Sequence, residues 1–122
     1  MIINVMLKPK TSADVYLEEA EDYLSKGEVV QACEKYYKAA EEAILILANK
    51  YKISNINEKD KASLERIVSL LSKILGEAIV KYWATAVLLL TAKDYMDQEL
   101  VKIYKNDVER LVFIADNEGV NT

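Results

Sequence analysis

The chain has 122 residues, of which 52% are apolar and 30% are charged, and its formal net charge is −4. This length fits one domain with a core of its own, and the apolar fraction excludes a disordered chain. The negative net charge excludes the overall basic excess that is typical of dedicated nucleic-acid-binding proteins.

The first helix is predicted to begin near Ser12, because Thr11 and Asp14 have the spacing of a capping box, and to end at Gly27 as a left-handed cap. Its apolar residues recur at steps of three and four, which puts them on one helical face. The same spacing predicts a second helix over 28–52. The turn between these two helices is so short that they must be antiparallel neighbours.

A polar, Asn-rich segment at 53–60 predicts a loop, and three further helices follow it. The third ends at Gly76 as a second cap, the fourth spans 77–93, and the fifth spans 98–117 after a turn and cap at 94–97. None of the five is long enough to be stable alone, so they must bury their apolar faces against one another. The sequence therefore predicts an all-α fold, an antiparallel bundle of about five helices.

We interpret residues 1–10 as an extended N-terminal arm, 11–118 as a single helical-bundle domain and 119–122 as a frayed tail. The arm lacks the basic start of a targeting signal. The longest uncharged run, at 82–92, is far shorter than the ~20 residues that a membrane-spanning helix needs. Together with a single cysteine, which indicates a reducing compartment, these features predict a cytoplasmic protein with no membrane contact.

The chain contains no histidine, which excludes Ser–His and Cys–His nucleophile pairs, an imidazole base and histidine metal ligands. Cys33 is the only cysteine, so it allows neither an internal disulfide nor a thiolate zinc site. The three glycines, at 27, 76 and 119, lie too far apart for a phosphate-binding loop. We therefore predict no catalytic residue, no cofactor and no metal site.

Three groups of side chains have both a functional and a structural interpretation. The acidic group could hold a cation, but neighbouring helical residues point about 100° apart, which favours a solvated face. The tyrosines could line a ligand groove or simply pack between helices. The basic group could bind RNA or an acidic partner, but interleaved carboxylates favour an ordinary mixed surface. The groups are Glu18, Glu19, Glu21 and Asp22; Tyr16, Tyr23, Tyr36 and Tyr37; and Lys93, Lys102, Lys105 and Arg110.

The fourth helix is apolar almost all round, which is typical of a helix at the centre of a bundle or in a subunit interface. Such a helix needs cover on more than one side, which predicts a homodimer. The candidate interface residues are Trp83, Val87, Leu88 and Leu90, with Trp83 also interpretable as a core residue. The apolar arm at 1–10 could add further contacts between subunits.

The stretch YLEEAEDYLSKGEVVQACEKYYKAAEEAI at 16–44, the later Trp83-x-x-Ala86, and a last helix with Val108 and Leu111-Val112 resemble the archaeal PaREP family. The resemblance implies a HEPN-like helical bundle that forms homodimers. Some HEPN-like bundles are ribonucleases, which use an Arg followed after four to six residues by His. Neither Arg66 nor Arg110 is followed by such a histidine, so the resemblance does not extend to that activity.

These observations lead to one main hypothesis and two others. The leading hypothesis is a non-catalytic helical interaction module that forms a homodimer and could also bind another protein. The alternative is a degenerate HEPN-type nucleotide- or RNA-binding protein, partnered with a nucleotidyltransferase. A third hypothesis, an enzyme that uses Lys81 beside Tyr82, requires Lys81 to be buried, because burial lowers a lysine pKa. A composition rich in Lys, Glu, Ile, Val and Tyr also predicts a thermophilic source.

Overall fold

The computed structural model describes residues 10–53 and 60–118. Its helices are α1 (Ser12–Ser25), α2 (Val29–Lys50), α3 (Lys61–Leu75), α4 (Ala78–Thr91) and α5 (Gln98–Asn117), with a 3-10 turn at Lys93–Tyr95. No strand occurs in this part of the chain, so the predicted all-α bundle is confirmed. The predicted arm before Lys10, the tail at 119–122 and most of the predicted loop at 53–60 lie outside the described residues.

The ends of α1 form as the sequence predicts. The Thr11 side chain accepts a hydrogen bond from the Asp14 backbone N–H, and the Asp14 carboxylate accepts one from the Thr11 backbone N–H, which completes the capping box. At the other end Gly27 adopts a φ of +78°, and the Glu28 backbone N–H donates to the Tyr23 carbonyl. This pattern is a Schellman motif, which turns the chain directly into α2.

The helix at the centre of the bundle is α2, and not α4 as one interpretation of the sequence expected. It contacts all four other α-helices and buries ten of its residues. Five of the buried residues are alanines, whose small side chains let neighbouring helices approach closely. In contrast, α4 lies on the outside of the bundle and buries one face only. The other face of α4, which is apolar apart from Lys81 and Thr91, meets solvent, because no element of the described chain covers it.

A short turn joins α3 to α4, and glycine makes this turn feasible. Gly76 has φ +107° and ψ 162°, a combination that essentially glycine alone adopts. A different turn follows α2, where Lys52 adopts a left-handed φ of +56° although it is not a glycine. The Ile53 backbone N–H donates to the Ala48 carbonyl there, so a lysine occupies the position that glycine usually fills in a Schellman motif.

Candidate functional site

Trp83, the first of the predicted interface residues, belongs to the core. Its side chain is only 4% exposed, and its ring lies 5.6 Å from that of Tyr37 on α2. The indole N–H donates a hydrogen bond of 2.6 Å to the Glu65 carboxylate on α3. Trp83 therefore ties α4 to α2 and α3 within one chain and offers no surface to a partner.

The other three predicted interface residues divide between the core and the surface. Val87 and Leu90 are half-buried and pack against the core, whereas Leu88 is 40% exposed. Val80 is also exposed, at 46%, and so is Ala84 between them. Because Val80, Ala84 and Leu88 follow at steps of four, they form one apolar stripe along the outer face of α4.

The stripe continues onto α5 because α4 and α5 lie side by side and antiparallel. The Thr85 hydroxyl donates to the Asp107 carboxylate at 2.7 Å, and Tyr82, one turn earlier, lies beside Arg110 and Phe113. This register brings Ile103, which is 64% exposed, to the level of Leu88. We call Val80, Ala84, Leu88 and Ile103 the α4–α5 apolar surface.

A groove opens between the same two helices toward the end of α5. Its volume is about 430 Å³. Two aromatic residues line it: Tyr82 of α4 and Phe113 of α5, which is 68% exposed. The remaining lining residues come from α5 and are mostly polar: Asn106, Glu109, Arg110 and Ile114. We call this feature the Tyr82–Phe113 groove.

A polar network borders the groove and links α5 to α1 and α2. The Lys105 ammonium lies 3.0 Å from the carboxylates of both Glu21 and Glu109. The hydroxyl of Tyr36, which is fully buried, donates to Glu21 at 2.5 Å. Sequence reasoning placed Glu21 on a solvated face and missed this network, because Glu21 and its bonded partner Lys105 are 84 residues apart in the chain.

The groups of the network shift one another's pKa values. Burial raises the pKa of Glu21, but the hydrogen bonds from Tyr36 and Lys105 outweigh this effect, so its pKa lies below the usual value. Burial lowers the pKa of Lys105, but the hydrogen bonds to Glu109 and Glu21 raise it by more than burial lowers it. The pKa of Lys105 therefore lies above the usual value. The pKa of Tyr36 is raised by burial and by the adjacent Glu21 carboxylate. All three groups therefore keep their ordinary charge at neutral pH.

The predicted basic group is largely neutralised by carboxylates. Lys93 pairs with Glu34 at 2.6 Å, and Lys102 pairs with Glu99 at 3.5 Å. Lys105 belongs to the network described above. Only Arg110 forms no ion pair with the described residues, and it lies in the Tyr82–Phe113 groove. The basic surface that the sequence suggested is therefore reduced to one exposed guanidinium.

The remaining sequence candidates have structural roles. Tyr36 and Tyr37 are buried, and Tyr16 and Tyr23 pack against the core, which confirms the packing interpretation of these tyrosines. Burial, with Glu41 adding to it, raises the pKa of Tyr37 to about 12. The acidic residues of α1 pair with separate lysines (Glu18 with Lys10, Glu19 with Lys35 and Asp22 with Lys26), and no group of three or more acidic or cysteine side chains in the described part of the chain could hold a metal ion.

Lys81 is exposed, so the burial that the enzyme hypothesis requires is absent. The premise of the enzyme hypothesis is therefore not met in the described structure. Across residues 10–53 and 60–118, no helix is both long and apolar enough to span a membrane.

Comparisons with known proteins identify relatives of the whole bundle. The model of the archaeal PaREP1/PaREP8 family matches residues 9–112. The crystal structure of a Sulfolobus solfataricus protein is 38% identical with a TM-score of 0.85, and the match covers 93% of this chain and 100% of that one. A solution structure of the same structural-genomics target is 39% identical with a TM-score of 0.75, and the match covers 88% of this chain and 91% of that one. A search of curated proteins found no match.

Proposed function

Because the chain belongs to the archaeal PaREP1/PaREP8 family, whose match spans almost all of the helical bundle, we propose that it is a non-catalytic interaction module. In this proposal two copies form a homodimer in the cytoplasm through the α4–α5 apolar surface. The observation that carries the proposal is the exposed apolar stripe of α4, which continues onto Ile103 of α5.

The composition of this surface supports a protein partner. Leu88 and Val80 are 40% and 46% exposed, and Ile103 is 64% exposed, all on two adjacent helices. Single exposed apolar side chains are ordinary, but a contiguous group marks an interaction surface. A second copy of the chain presents the same apolar stripe, so in a two-fold symmetric dimer the stripe of one copy would contact the stripe of the other.

The absence of catalysis remains part of the proposal and rests on residue chemistry. The whole chain lacks histidine, and Lys81 is exposed. Cys33 is fully buried, and burial, with Glu34 adding to it, raises the pKa of its thiol to about 11. A thiol in this environment is a poor nucleophile at neutral pH, because the thiolate is the reactive form.

The test is the oligomeric state of matched variants, measured by sedimentation velocity at 1–100 µM (roughly the range in which ordinary protein interfaces associate). We expect the wild type to sediment at twice the chain mass of 13.8 kDa. Leu88→Glu should weaken association at least about tenfold, because it places a charge in an apolar contact. Leu70→Glu is the control, since Leu70 is 41% exposed but lies on α3.

Three results would contradict the proposal. A wild type that is monomeric throughout this range would exclude the homodimer. Loss of association in Leu70→Glu but not in Leu88→Glu would place the interface on α3 instead. Turnover of RNA or of a nucleotide by rigorously purified protein would refute the non-catalytic assignment.

The alternative function, a degenerate HEPN-type nucleotide or RNA binder that works with a nucleotidyltransferase, is favoured by one observation, the exposed Arg110. Filter binding of RNA at 50 and 200 mM salt tests it, because phosphate contacts weaken steeply with salt (by orders of magnitude for about six or more contacts). Retention at low salt that Arg110→Gln abolishes would favour this alternative. No retention at either concentration would remove it.

A further inference from the structure

The Tyr82–Phe113 groove differs from the α4–α5 apolar surface in position and in chemistry. The two features share no residue, although Val80 and Ala84 of the surface lie two residues from Tyr82 on α4. The volume of the groove, about 430 Å³, falls within the range of small-molecule sites, roughly 300–1,000 Å³. An inference about the groove therefore does not rest on the proposed homodimer.

The apolar part of the groove is aromatic. Phe113 is the only phenylalanine of the chain, yet it is 68% exposed instead of being buried in the core. Tyr82 of α4 lines the same groove and is half-buried, because it packs partly against the core. Two rings that line one groove offer a flat apolar group surfaces to lie against, because aromatic rings stack well on such groups.

The polar part of the groove contains a guanidinium that has no ion-pair partner among the described residues. Arg110 forms no ion pair with the described residues, although Glu109 is its neighbour in the sequence. Glu109 is instead bound at 3.0 Å by Lys105, which also holds Glu21. The network thus engages the Glu109 carboxylate through Lys105, although one ammonium offsets only one of the two carboxylate charges, and the guanidinium keeps its hydrogen-bond donors for a ligand.

Asn106 extends the polar part by one helical turn. It precedes Arg110 by four residues, so the two side chains lie on the same side of α5 and line the same groove. A guanidinium binds a carboxylate or a phosphate through two parallel hydrogen bonds, and an amide can donate a third. The polar and aromatic parts meet in the groove, because Phe113 follows Arg110 by three residues.

From these contacts we infer that the Tyr82–Phe113 groove binds a small organic anion that carries a flat ring. The anionic group contacts Arg110 and Asn106, and the ring lies against Phe113 and Tyr82. The anionic group can be a carboxylate or a phosphate, because both match the guanidinium. The groove is open on one side, so we expect a modest affinity for a ligand of this size, with a Kd on the order of 1 mM.

The experiment is a titration of the ¹⁵N-labelled full chain followed by two-dimensional NMR. The probes are 2-naphthoate, adenosine monophosphate and the neutral 2-naphthamide. We expect saturable shifts in the amides around Tyr82 and from Asn106 to Phe113 with at least one of the two anions. The neutral amide should bind at least about tenfold more weakly, because it lacks the charge that Arg110 recognises.

Matched variants separate the site from general charge effects. Arg110→Gln should weaken binding of the anion at least about tenfold, and Phe113→Leu should weaken it while preserving the bundle. Arg66→Gln is the control, because Arg66 is an exposed arginine on α3 that also forms no ion pair with the described residues. Each variant is folded if its spectrum matches that of the wild type, apart from signals near the substitution.

The outcomes are distinct from those of the homodimer test. Binding of naphthoate or of adenosine monophosphate, with the expected variant pattern, supports the inference and identifies the anionic group. Equal binding by Arg110→Gln, shifts that cluster elsewhere, or no shifts up to 10 mM of either anion (about ten times the expected Kd) would overturn it. The last result in a protein that sediments as a dimer would leave the homodimer intact and remove the ligand site alone.

Discussion

Replacing Tyr36 with Phe removes a single hydroxyl from the centre of the bundle and leaves the shape of the side chain almost unchanged. Tyr36 is fully buried, and its hydroxyl donates to the Glu21 carboxylate at 2.5 Å. The substitution therefore tests how much the polar network stabilises the packing of α1 against α2 and α5.

The expected loss follows from the partner's charge and exposure. Hydrogen bonds to charged groups contribute about 1.5–3 kcal/mol to the free energy of unfolding. The Glu21 side chain is 41% exposed and keeps its ion pair with Lys105, so water and the ammonium compensate part of the loss. We therefore expect Tyr36→Phe to lose about 1.5 kcal/mol, the lower end of that range.

The loss of unfolding free energy in Tyr36→Phe should also depend on pH, and the ionisation of Glu21 determines the direction of this dependence. The pKa of Glu21 is lowered in the folded chain, because the hydrogen bonds from Tyr36 and Lys105 outweigh the effect of burial. Its stabilising contribution is therefore fully present above the ordinary value of 4.5 and is lost as the pH falls through the folded value. The difference between wild type and variant should be largest near neutral pH and should shrink in acid.

Urea unfolding followed by circular dichroism, at neutral and at acidic pH, measures both effects. Tyr95→Phe is the control, because Tyr95 is 89% exposed and should change the free energy of unfolding very little. An equal loss in both variants would refute the argument. A loss in Tyr36→Phe that stays constant from neutral pH to well below 4.5 would show that packing, and not the charged hydrogen bond, is responsible.

Three further predictions concern single residues. Cys33 is buried and the pKa of its thiol is raised to about 11 by burial and by Glu34, so Ellman's reagent should label it only after unfolding; rapid labelling of native protein would contradict this. Lys52→Gly should raise the free energy of unfolding by about 0.5–1 kcal/mol in urea melts, because φ is +56° there; a decrease would refute it. Trp83→Ala should lower that free energy by about 3–5 kcal/mol, and Leu88→Ala on the same helix by less than about 1; similar losses would contradict the assignment of Trp83 to the core.

The helices could be predicted from the sequence because their signals are local. The capping residues Thr11 and Asp97 and the glycines at 27 and 76 each act on residues within one turn, so their effect can be seen without tertiary structure. The predicted fifth helix matches α5 at both ends. The second and fourth helices are shorter at each end than predicted, as expected where the chain frays or turns.

The position of each helix in the bundle could not be predicted, because it depends on contacts between distant residues. The apolar character of α4 suggested a central helix, but the alanines of α2 let that helix occupy the centre. The sequence left Trp83 as either a core or an interface residue, since its hydrogen-bond partner Glu65 lies on another helix, 18 residues earlier. Val80 is not among the predicted interface residues, since the charged Lys81 separates it from the uncharged run at 82–92.

The groove was out of reach of sequence reasoning for the same reason. Tyr82 and Phe113 are 31 positions apart, and only the antiparallel register of α4 and α5 brings them to one cavity. The sequence places Arg110 in a basic group, but only the ion pairs of the other three members distinguish it from them. Ion pairs of this kind follow from three-dimensional distances, which periodicity does not provide.

The hydrogen bond between the Thr11 hydroxyl and the Asp116 carboxylate, 3.0 Å long, joins the cap of α1 to the last turn of α5. The helical bundle therefore begins and finishes at one spot, so a short peptide could connect α5 back to α1. A circularly permuted protein with new termini opened at the exposed Gly76 turn should keep the same five-helix architecture. Fluorescent labels attached at the start of α1 and at the end of α5 would likewise lie close together, on one side of the molecule.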